Sequence, residues 1–337
     1  MRFSQTVPQI ILVSLFSSVR ISRTLSSGMS HQDLLLTPGT LWPALRDRTE
    51  QARRCGAILS IPTATETIEH EGVTFVIRVV ASLAKKTEAA RAQSRVVQPQ
   101  TAQPAFNPFL PYDPDLFVAD VSPTHVALLN KFNVVDHHLL IVTRSFEEQD
   151  LLLTQQDCLA LLACLADIDG LGFYNAGQVA GASQKHKHLQ LVPLPLNPTG
   201  PRLPIEPLLR QAQMTGPTGI IPALPFLHAY APMDPRWLDN PVEASPLLLA
   251  RYEALLQHVQ VPIHRMPDGQ RTGPYNLLVT RQWMVAIPRS AECFEGISIN
   301  ALGFAGGLLV RDKAQLEILR TRGPMTALRQ VSFPRQI

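Results

Sequence analysis

The sequence predicts an α+β fold in which helices flank a mostly antiparallel sheet. Two hairpins are indicated, one by residues 65–68 and 73–82 around a polar turn at 69–72, the other by residues 275–280 and 283–288. The helical segments do not alternate regularly with strands, as they would in a parallel α/β sheet. With 337 residues, 45% of them hydrophobic, the chain is long enough to bury a core without disulfide or metal staples.

The elements of the amino-terminal half follow from hydrophobic spacing and helix caps. Apolar residues at helical spacing predict a surface helix over 41–58, and Thr154 is the predicted cap of a helix over 155–168. Residues 87–115, rich in Ala, Gln and Pro, are predicted to form a long surface loop over or beside a site. Four further strands are predicted, at 116–118, 125–132, 139–143 and 186–192.

A proline-rich segment, residues 193–225, is the best internal boundary. Beyond it, Ser245 followed by Pro246 predicts an N-cap and the first position of a helix. Asp312 is the predicted cap of a final helix that closes at Gly323.

Residues 1–28 are predicted to be an extension that carries no chemistry. Arg2, an apolar stretch at 10–16 and a Ser/Arg-rich tail loosely resemble a targeting peptide, but the apolar stretch is too short to span a membrane. Met29 then opens a polar stretch before the first helix, which favours a mispredicted start. A targeting segment and a structural arm are the alternatives.

Charge and cysteine content exclude several classes of protein. Lys and Arg number 30 against 27 Asp and Glu, a formal net charge of +3, and no basic run marks a nucleic-acid surface. The four cysteines form no C-x-x-C pair, which is typical of a reducing compartment and predicts a cytoplasmic protein.

The most informative stretch is residues 183–190, Ser-Gln-Lys-His-Lys-His-Leu-Gln. If it is a strand, alternation places His186, His188 and Gln190 on one face and Lys187 on the other. Replacement of Lys187 should then cost less turnover than replacement of His188. Four interpretations are open: buried core histidines, two zinc or manganese ligands without an evident third, a solvated strand that the leucines disfavour, or a histidine nucleophile attacking phosphorus.

Neighbouring residues favour the nucleophile. The chain has only six lysines, and five lie in or beside these segments, where they could offset charge on a polyphosphate: Lys85, Lys86, Lys131, Lys185 and Lys187. The run before the strand offers small side chains and backbone N–H groups for close phosphate approach.

At these residues the chain resembles the diadenosine tetraphosphate phosphorylases, also called ATP adenylyltransferases, the transferase branch of the histidine triad superfamily. Residues 175–190 resemble the active-site segment of that family. Further similar blocks are 130–133 with 138–143, 275–284 with 287–289, and, more weakly, 107–111. The blocks occur in order over about residues 41–332, which a chance match to one motif would not produce.

The resemblance implies a histidine-triad-like fold and phosphorolysis of diadenosine tetraphosphate to ATP and ADP, and the reverse, through an adenylyl-histidine. His188 would be the nucleophile, His186 would orient it through its backbone or ring, and Gln190 would stand where the hydrolase branch carries a third histidine. The implied substrate-binding residues are Lys86, preferred narrowly to Lys85, and Asn130, Lys131, Asn175, Gly181, Ala182, Ser183, Gln184, Asn276 and Met284.

The resemblance also implies a division of the chain into two parts and a set of binding partners. Residues 29–200 would form the catalytic part, and residues 201–337 a carboxy-terminal part that completes the same nucleotide site. The partners would be a nucleotide and inorganic phosphate, with no nucleic acid, no membrane, no protein-bound metal and no required cofactor, although Mg²⁺ can accompany the nucleotide. The alternatives are a dinucleoside polyphosphate hydrolase, a transferase acting on another nucleotide sugar or sulfate, and a non-catalytic nucleotide sensor.

Overall fold

The computed structural model describes residues 33–80 and 107–335. The predicted extension at 1–28, Lys85, Lys86 and most of the predicted 87–115 loop lie outside these residues. Within the described ranges the helices are α1 Leu41–Cys55, α2 Gln155–Asp167, α3 Glu206–Leu209, α4 Pro241–His258, α5 Ala301–Phe304, α6 Lys313–Arg322 and α7 Pro324–Gln330.

The strands of the described chain form one large sheet and three small ones. In chain order they are β1 Thr63–His70, β2 Val73–Val80, β3 Phe117–Asp120, β4 His125–Leu129, β5 Leu139–Thr143, β6 Gly170–Asn175, β7 His188–Pro193, β8 Gln213–Met214, β9 Gly219–Ile220, β10 Ala229–Pro232, β11 Ile263–Met266, β12 Gly269–Thr272, β13 Tyr275–Val279, β14 Trp283–Pro288, β15 Cys293–Phe294, β16 Ile297–Ser298 and β17 Gly307–Val310. The large sheet has the order β3-β4-β5-β7-β6-β13-β14-β10-β9-β8, and every pair in it is antiparallel. The predicted α+β class is therefore confirmed.

The two faces of the large sheet are covered differently. One face packs its alternate residues, such as Leu189 and Leu191, against α1, α2 and α4. The opposite face packs partly against α5–α7 and the β1-β2-β17 sheet, in which β17 runs parallel to β2. A small apolar cluster around Phe109 covers the far end of that second face. His188 and Gln190 point to this second face, between its two covered regions.

Several element boundaries differ from the predictions. Helix α1 ends at Cys55 because Gly56 takes a left-handed backbone with φ of 79°. Helix α4 begins at Pro241, capped by Asn240, so the predicted start at Ser245 is wrong and Pro246 lies inside the helix. The helix tolerates it because the Ser245 hydroxyl donates 3.0 Å to the Val242 carbonyl, the acceptor that the missing N–H would have used.

Strand β6 is not among the strands predicted from the sequence. It is buried on both faces, so it lacks alternation between apolar and polar residues. Two glycines also weaken its strand pattern. A Cβ at Gly170 would lie 2.7 Å from the Val192 backbone oxygen, so packing requires glycine there, and a Cβ at Gly172 would lie 2.7 Å from the Leu161 side chain, which would have to shift.

Candidate active site

His188 is the first residue of β7 and lies at the floor of a cleft. Its Nδ1 donates a hydrogen bond of 2.8 Å to the carbonyl of His186, which leaves Nε2 as the atom with a lone pair. Burial lowers the pKa of His188 to about 4. At neutral pH the ring is therefore uncharged, with a nucleophilic nitrogen of fixed identity.

His186 supports this arrangement through its backbone. Its own Nε2 donates to the Thr143 carbonyl at 2.8 Å, and its Nδ1 accepts from the Asn107 amide at 2.9 Å. Both ring nitrogens are therefore engaged away from His188. The ring of Phe109 contacts both imidazoles, with centroid distances of 5.5 and 5.4 Å, and holds them from the cleft side.

Gln190 belongs to a chain of three hydrogen-bonded side chains. Asn130 Nδ2 donates to His138 Nδ1 at 3.2 Å, and His138 Nε2 donates to Gln190 Oε1 at 2.9 Å. Burial lowers the pKa of His138 to about 4, so it stays neutral and fills both roles. Because the oxygen of Gln190 is held, its amide nitrogen is the group that faces a ligand as a donor. Sequence alternation along β5 could have identified His138, two residues before Leu140 on the same face.

The cleft in front of these residues has a volume of about 560 Å³. Its walls are mainly apolar, and six of the predicted site residues line it. The apolar lining is Pro108, Phe109, Pro111, Tyr112, Leu116, Leu128, Leu129, Phe132 and Leu140; the polar lining is Asp113, Asn130, Lys131, Ser183, Gln184, His188 and Gln190. An apolar cleft with a few convergent polar groups fits a flat, mostly apolar ring with a polar substituent.

A second cleft, of about 400 Å³, lies across the loop at 177–184. Gly181 has a φ of 89°, and a Cβ there would lie 2.8 Å from the side chain of Asn300, which lines this second cleft. Ser183 and Gln184, a few residues on, line the first cleft. Ala182 lies between them, half-buried. The loop therefore packs against Asn300 of the second cleft and supplies two residues to the lining of the first.

The second cleft is cationic. Among its described lining residues are Arg78 and Arg311 and no acid. Burial lowers the pKa of Arg78. Neither arginine is among the predicted site residues, which include lysines as the phosphate-binding cations, although the lone arginine in the apolar run of β2 is a visible signal in the sequence.

Gly181 and Ala182 of the loop line neither cleft, and nor do three predicted substrate-binding residues outside it, Asn175, Asn276 and Met284. Asn175 Oδ1 accepts from the amide of Asn276 at 2.8 Å and from the Ala301 N–H at 3.0 Å. Asn276 also donates to the Ala180 carbonyl, so both asparagines lie behind the loop and brace it. Met284 is 1% exposed and packs in the helix-side core, because strand alternation points it away from the clefts.

Arg289 is a buried cation that ties these parts together. Its guanidinium donates to Asn276 Oδ1 at 2.6 Å and to the carbonyls of Ile299 at 2.8 Å and Val331 at 3.0 Å. Burial lowers its pKa to about 10, so it remains charged at neutral pH. Arg289 therefore links Asn276, which holds the loop, to Ile299 of the second cleft and to Val331 in the carboxy-terminal segment.

The side chain of Lys187 does not line either cleft. It is fully buried on the helix side, where Nζ donates to Asp157 at 2.7 Å, to Glu147 at 3.1 Å and to the Leu152 carbonyl at 3.0 Å. Asp157 also accepts from His125 at 3.0 Å. The expectation that this lysine offsets phosphate charge is therefore wrong.

Two features are absent from residues 33–80 and 107–335. No three His, Cys, Asp or Glu side chains are grouped so that they could hold a metal ion. No helix is long and apolar enough to cross a bilayer.

Comparisons with known proteins match almost the whole described chain. Residues 31–211 match the family model of the Ap4A phosphorylase N-terminal domain, and residues 222–334 match that of the ATP adenylyltransferase C-terminal domain. Diadenosine 5',5'''-P1,P4-tetraphosphate phosphorylase 2 of Saccharomyces cerevisiae is 31% identical over 263 residues, which are 68% of this chain and 77% of that protein. Protein APA1 of the same yeast is 29% identical over 211 residues, 55% of this chain and 61% of that protein.

The fold is likewise similar to solved structures. The crystal structure of yeast Ap4A phosphorylase Apa2 superposes with a TM-score of 0.72 at 23% identity, covering 90% of this chain and all of that one. The complex of Apa2 with Ap4A superposes with a TM-score of 0.69 at 22% identity and the same coverage.

Proposed function

This chain belongs to the Ap4A phosphorylase family, and from that premise we propose how its own side chains carry out phosphorolysis of diadenosine tetraphosphate (Ap4A). The family membership that the motifs predicted is confirmed. The chain is a nucleotidyltransferase that cleaves Ap4A with inorganic phosphate to ATP and ADP.

The observation that carries the mechanism is the unprotonated Nε2 of His188 at the cleft floor. Nε2 attacks the α-phosphorus of one adenylate, an N–P bond forms, and the P–O bond to the departing ATP breaks. The ring gains positive charge as the bond forms, and the His186 carbonyl, 2.8 Å from Nδ1, stabilises that charge. Phosphate then attacks the same phosphorus, ADP leaves, and His188 returns to its neutral state.

The two clefts account for the two ends of the substrate. The adenosine that becomes attached to His188 occupies the apolar cleft, beside Asn130 and Lys131. The polyphosphate crosses the loop at Gly181–Gln184. The N–H groups of Gly181 and Ala182 already donate to the Gln178 and Gly177 carbonyls, so the proposed donors to non-bridging oxygens are Ser183 and Gln184. Its distal end reaches the cationic cleft of Arg78 and Arg311. Lys86, which follows β2, remains a proposed phosphate contact.

Gln190 explains why phosphate rather than water is the acceptor. Its oxygen is held by His138, and its amide nitrogen donates to an α-phosphate oxygen. An amide cannot take a proton from water, so no general base stands where the third histidine of a hydrolase would. The arginines of the second cleft draw a phosphate anion into the space that ATP vacates.

We also propose that the two parts of the chain share one nucleotide site. Residues 29–200 provide the nucleophile, and residues 201–337 complete the same site, since Asn300 and Arg311 belong to the second part. The reaction uses no resident cofactor, and Mg²⁺ enters as a counter-ion of the nucleotide. We propose a cytoplasmic location, supported by four free thiols, Cys55, Cys158, Cys164 and Cys293; imaging a tagged chain tests it.

The test of the function is product analysis with labelled phosphate. Turnover of Ap4A should rise with phosphate concentration and saturate, and the label should appear in ADP. Enzyme treated with a chelator and then supplied with Mg²⁺ should match untreated enzyme. Rapid cleavage to AMP and ATP in phosphate-free buffer would overturn the phosphorylase mechanism and favour a hydrolase, and binding without any cleavage would favour a nucleotide sensor.

A further inference from the structure

The large sheet opens beside the nucleophile. Strands β6 and β7 pair from Gly170 with Pro193 to Phe173 with Gln190, and the ladder ends there. Had it continued, Asn175 would lie opposite His188. The backbone of His188 therefore begins β7 without a β6 partner, and its polar groups need other bonds inside a buried region.

The side chain of Gln149 fills that opening. Its Oε1 accepts the His188 N–H at 2.8 Å, while its Nε2 donates to the His188 carbonyl at 3.1 Å and to the Asn175 carbonyl at 3.0 Å. The residue is 3% exposed. One amide thus takes the place of a strand and binds both backbone groups of the nucleophile.

Gln149 is itself held in place. Its N–H donates to the Lys185 carbonyl at 2.7 Å, and the Lys187 N–H donates to the Glu147 carbonyl at 2.8 Å, so residues 147–149 pair with the approach to β7. Its carbonyl accepts from the Tyr174 hydroxyl. The amide therefore reaches His188 from a fixed base.

We propose that Gln149 is a positioning residue for the nucleophile. Because His188 Nδ1 is bonded to the His186 carbonyl, the direction of Nε2 follows the backbone at 186–188, and Gln149 sets that backbone. Gln149 lines neither cleft, so it acts only through His188. This inference rests on the proposed role of His188 and extends it to a residue that the family motifs did not single out.

The test compares Gln149→Met with a matched control, His228→Ala. His228 is also buried and also bridges backbone groups, accepting from the Ile221 N–H at 2.8 Å and donating to the Phe226 carbonyl at 2.7 Å, and it lines neither cleft. Single-turnover formation of the acid-labile adenylyl adduct is measured on folded protein. Misplacement of about 1 Å costs roughly 100-fold in rate, so Gln149→Met should lose 10- to 100-fold in rate with KM for Ap4A within about twofold, while His228→Ala keeps the wild-type rate.

The pH dependence of the adduct-formation rate of Gln149→Glu distinguishes a positioning role from a purely structural one. The ionised carboxylate cannot donate to the two carbonyls, whereas the protonated acid can donate to one and still accept from His188. Its rate relative to wild type should therefore rise about tenfold from pH 7.5 to pH 5.5.

The outcomes separate the two proposals. If wild type forms no adduct, the role of His188 fails. If wild type forms it and both Gln149 variants match the wild-type rate, the positioning role is overturned while the function stands. Failure of both variants to fold, with His228→Ala folded, assigns Gln149 to stability alone and also overturns it.

Discussion

Replacement of Lys187 by methionine tests the buried charges on the helix side of the sheet next to β7. The change removes the ammonium that lies 2.7 Å from Asp157 and keeps most of the stem. Removing one partner of a buried ion pair costs about 3–5 kcal/mol, because the other charge stays buried. A domain is stable by only about 5–15 kcal/mol, so the loss takes a large share of the total.

Thermal unfolding followed by circular dichroism measures that loss. At about 2–4 °C for each kcal/mol, the melting temperature should fall by about 6–20 °C. The matched control is Lys185→Met, two residues away on an exposed side chain, where about 0.5 kcal/mol is the expected limit. Equal melting temperatures for the two variants would refute the buried pair.

The pH dependence of this difference has a defined sign. Lys187 and His125 hold the pKa of Asp157 well below its usual range, against the effect of burial. The stabilisation is therefore fully present above the unfolded-state pKa of about 3.9 and is lost as the pH falls below it. A Lys187 variant is accordingly a poor test of strand phase by activity, contrary to the sequence-based expectation, because it damages the fold.

Three further outcomes are expected. His188→Ala should remove at least about 10³-fold of turnover, measured with labelled Ap4A, and residual turnover above one per cent would contradict the nucleophile. Burial lowers the pKa of His138, His188 and His228 to about 4, so below about pH 6.5 the unfolded chain binds more protons than the folded one. The urea concentration at the unfolding midpoint should therefore decrease as the pH is lowered from about 6.5 to 4. A constant midpoint would argue against neutral buried rings. A chain that starts at Met29 should keep its melting temperature and turnover, and a large drop in either would show that the extension packs on the body.

Local patterns predicted much of the fold. The first hairpin turns at Glu71 and Gly72, both with positive φ, and Thr154 forms the capping box of α2 with Asp157. Alternation along β7 correctly predicted that Leu189 and Gln190 lie on opposite faces, Leu189 on the helix side and Gln190 in the cleft. These features depend on neighbours within a few residues, which is why the sequence alone was sufficient.

Contacts between residues that are far apart in the chain could not be predicted from the sequence. Nothing near Lys187 in the chain shows that Asp157, 30 positions away, will neutralise it. The roles of Arg78 and Arg289 likewise depend on which carbonyls and clefts the fold brings to them. Met284 was misassigned because a motif match carries no information about which face of β14 a residue occupies.

The place of β6 in the sheet has a consequence for synthesis on the ribosome. β6 pairs with β13, and the paired Asn175 and Asn276 are 101 positions apart. Until β13 has emerged, the nascent chain leaves one edge of β6 unpaired, although this strand is entirely buried in the finished protein, and the edge is a template for any other strand. We therefore expect chains interrupted between these two points to depend on chaperones and to aggregate, although β7 has already been made.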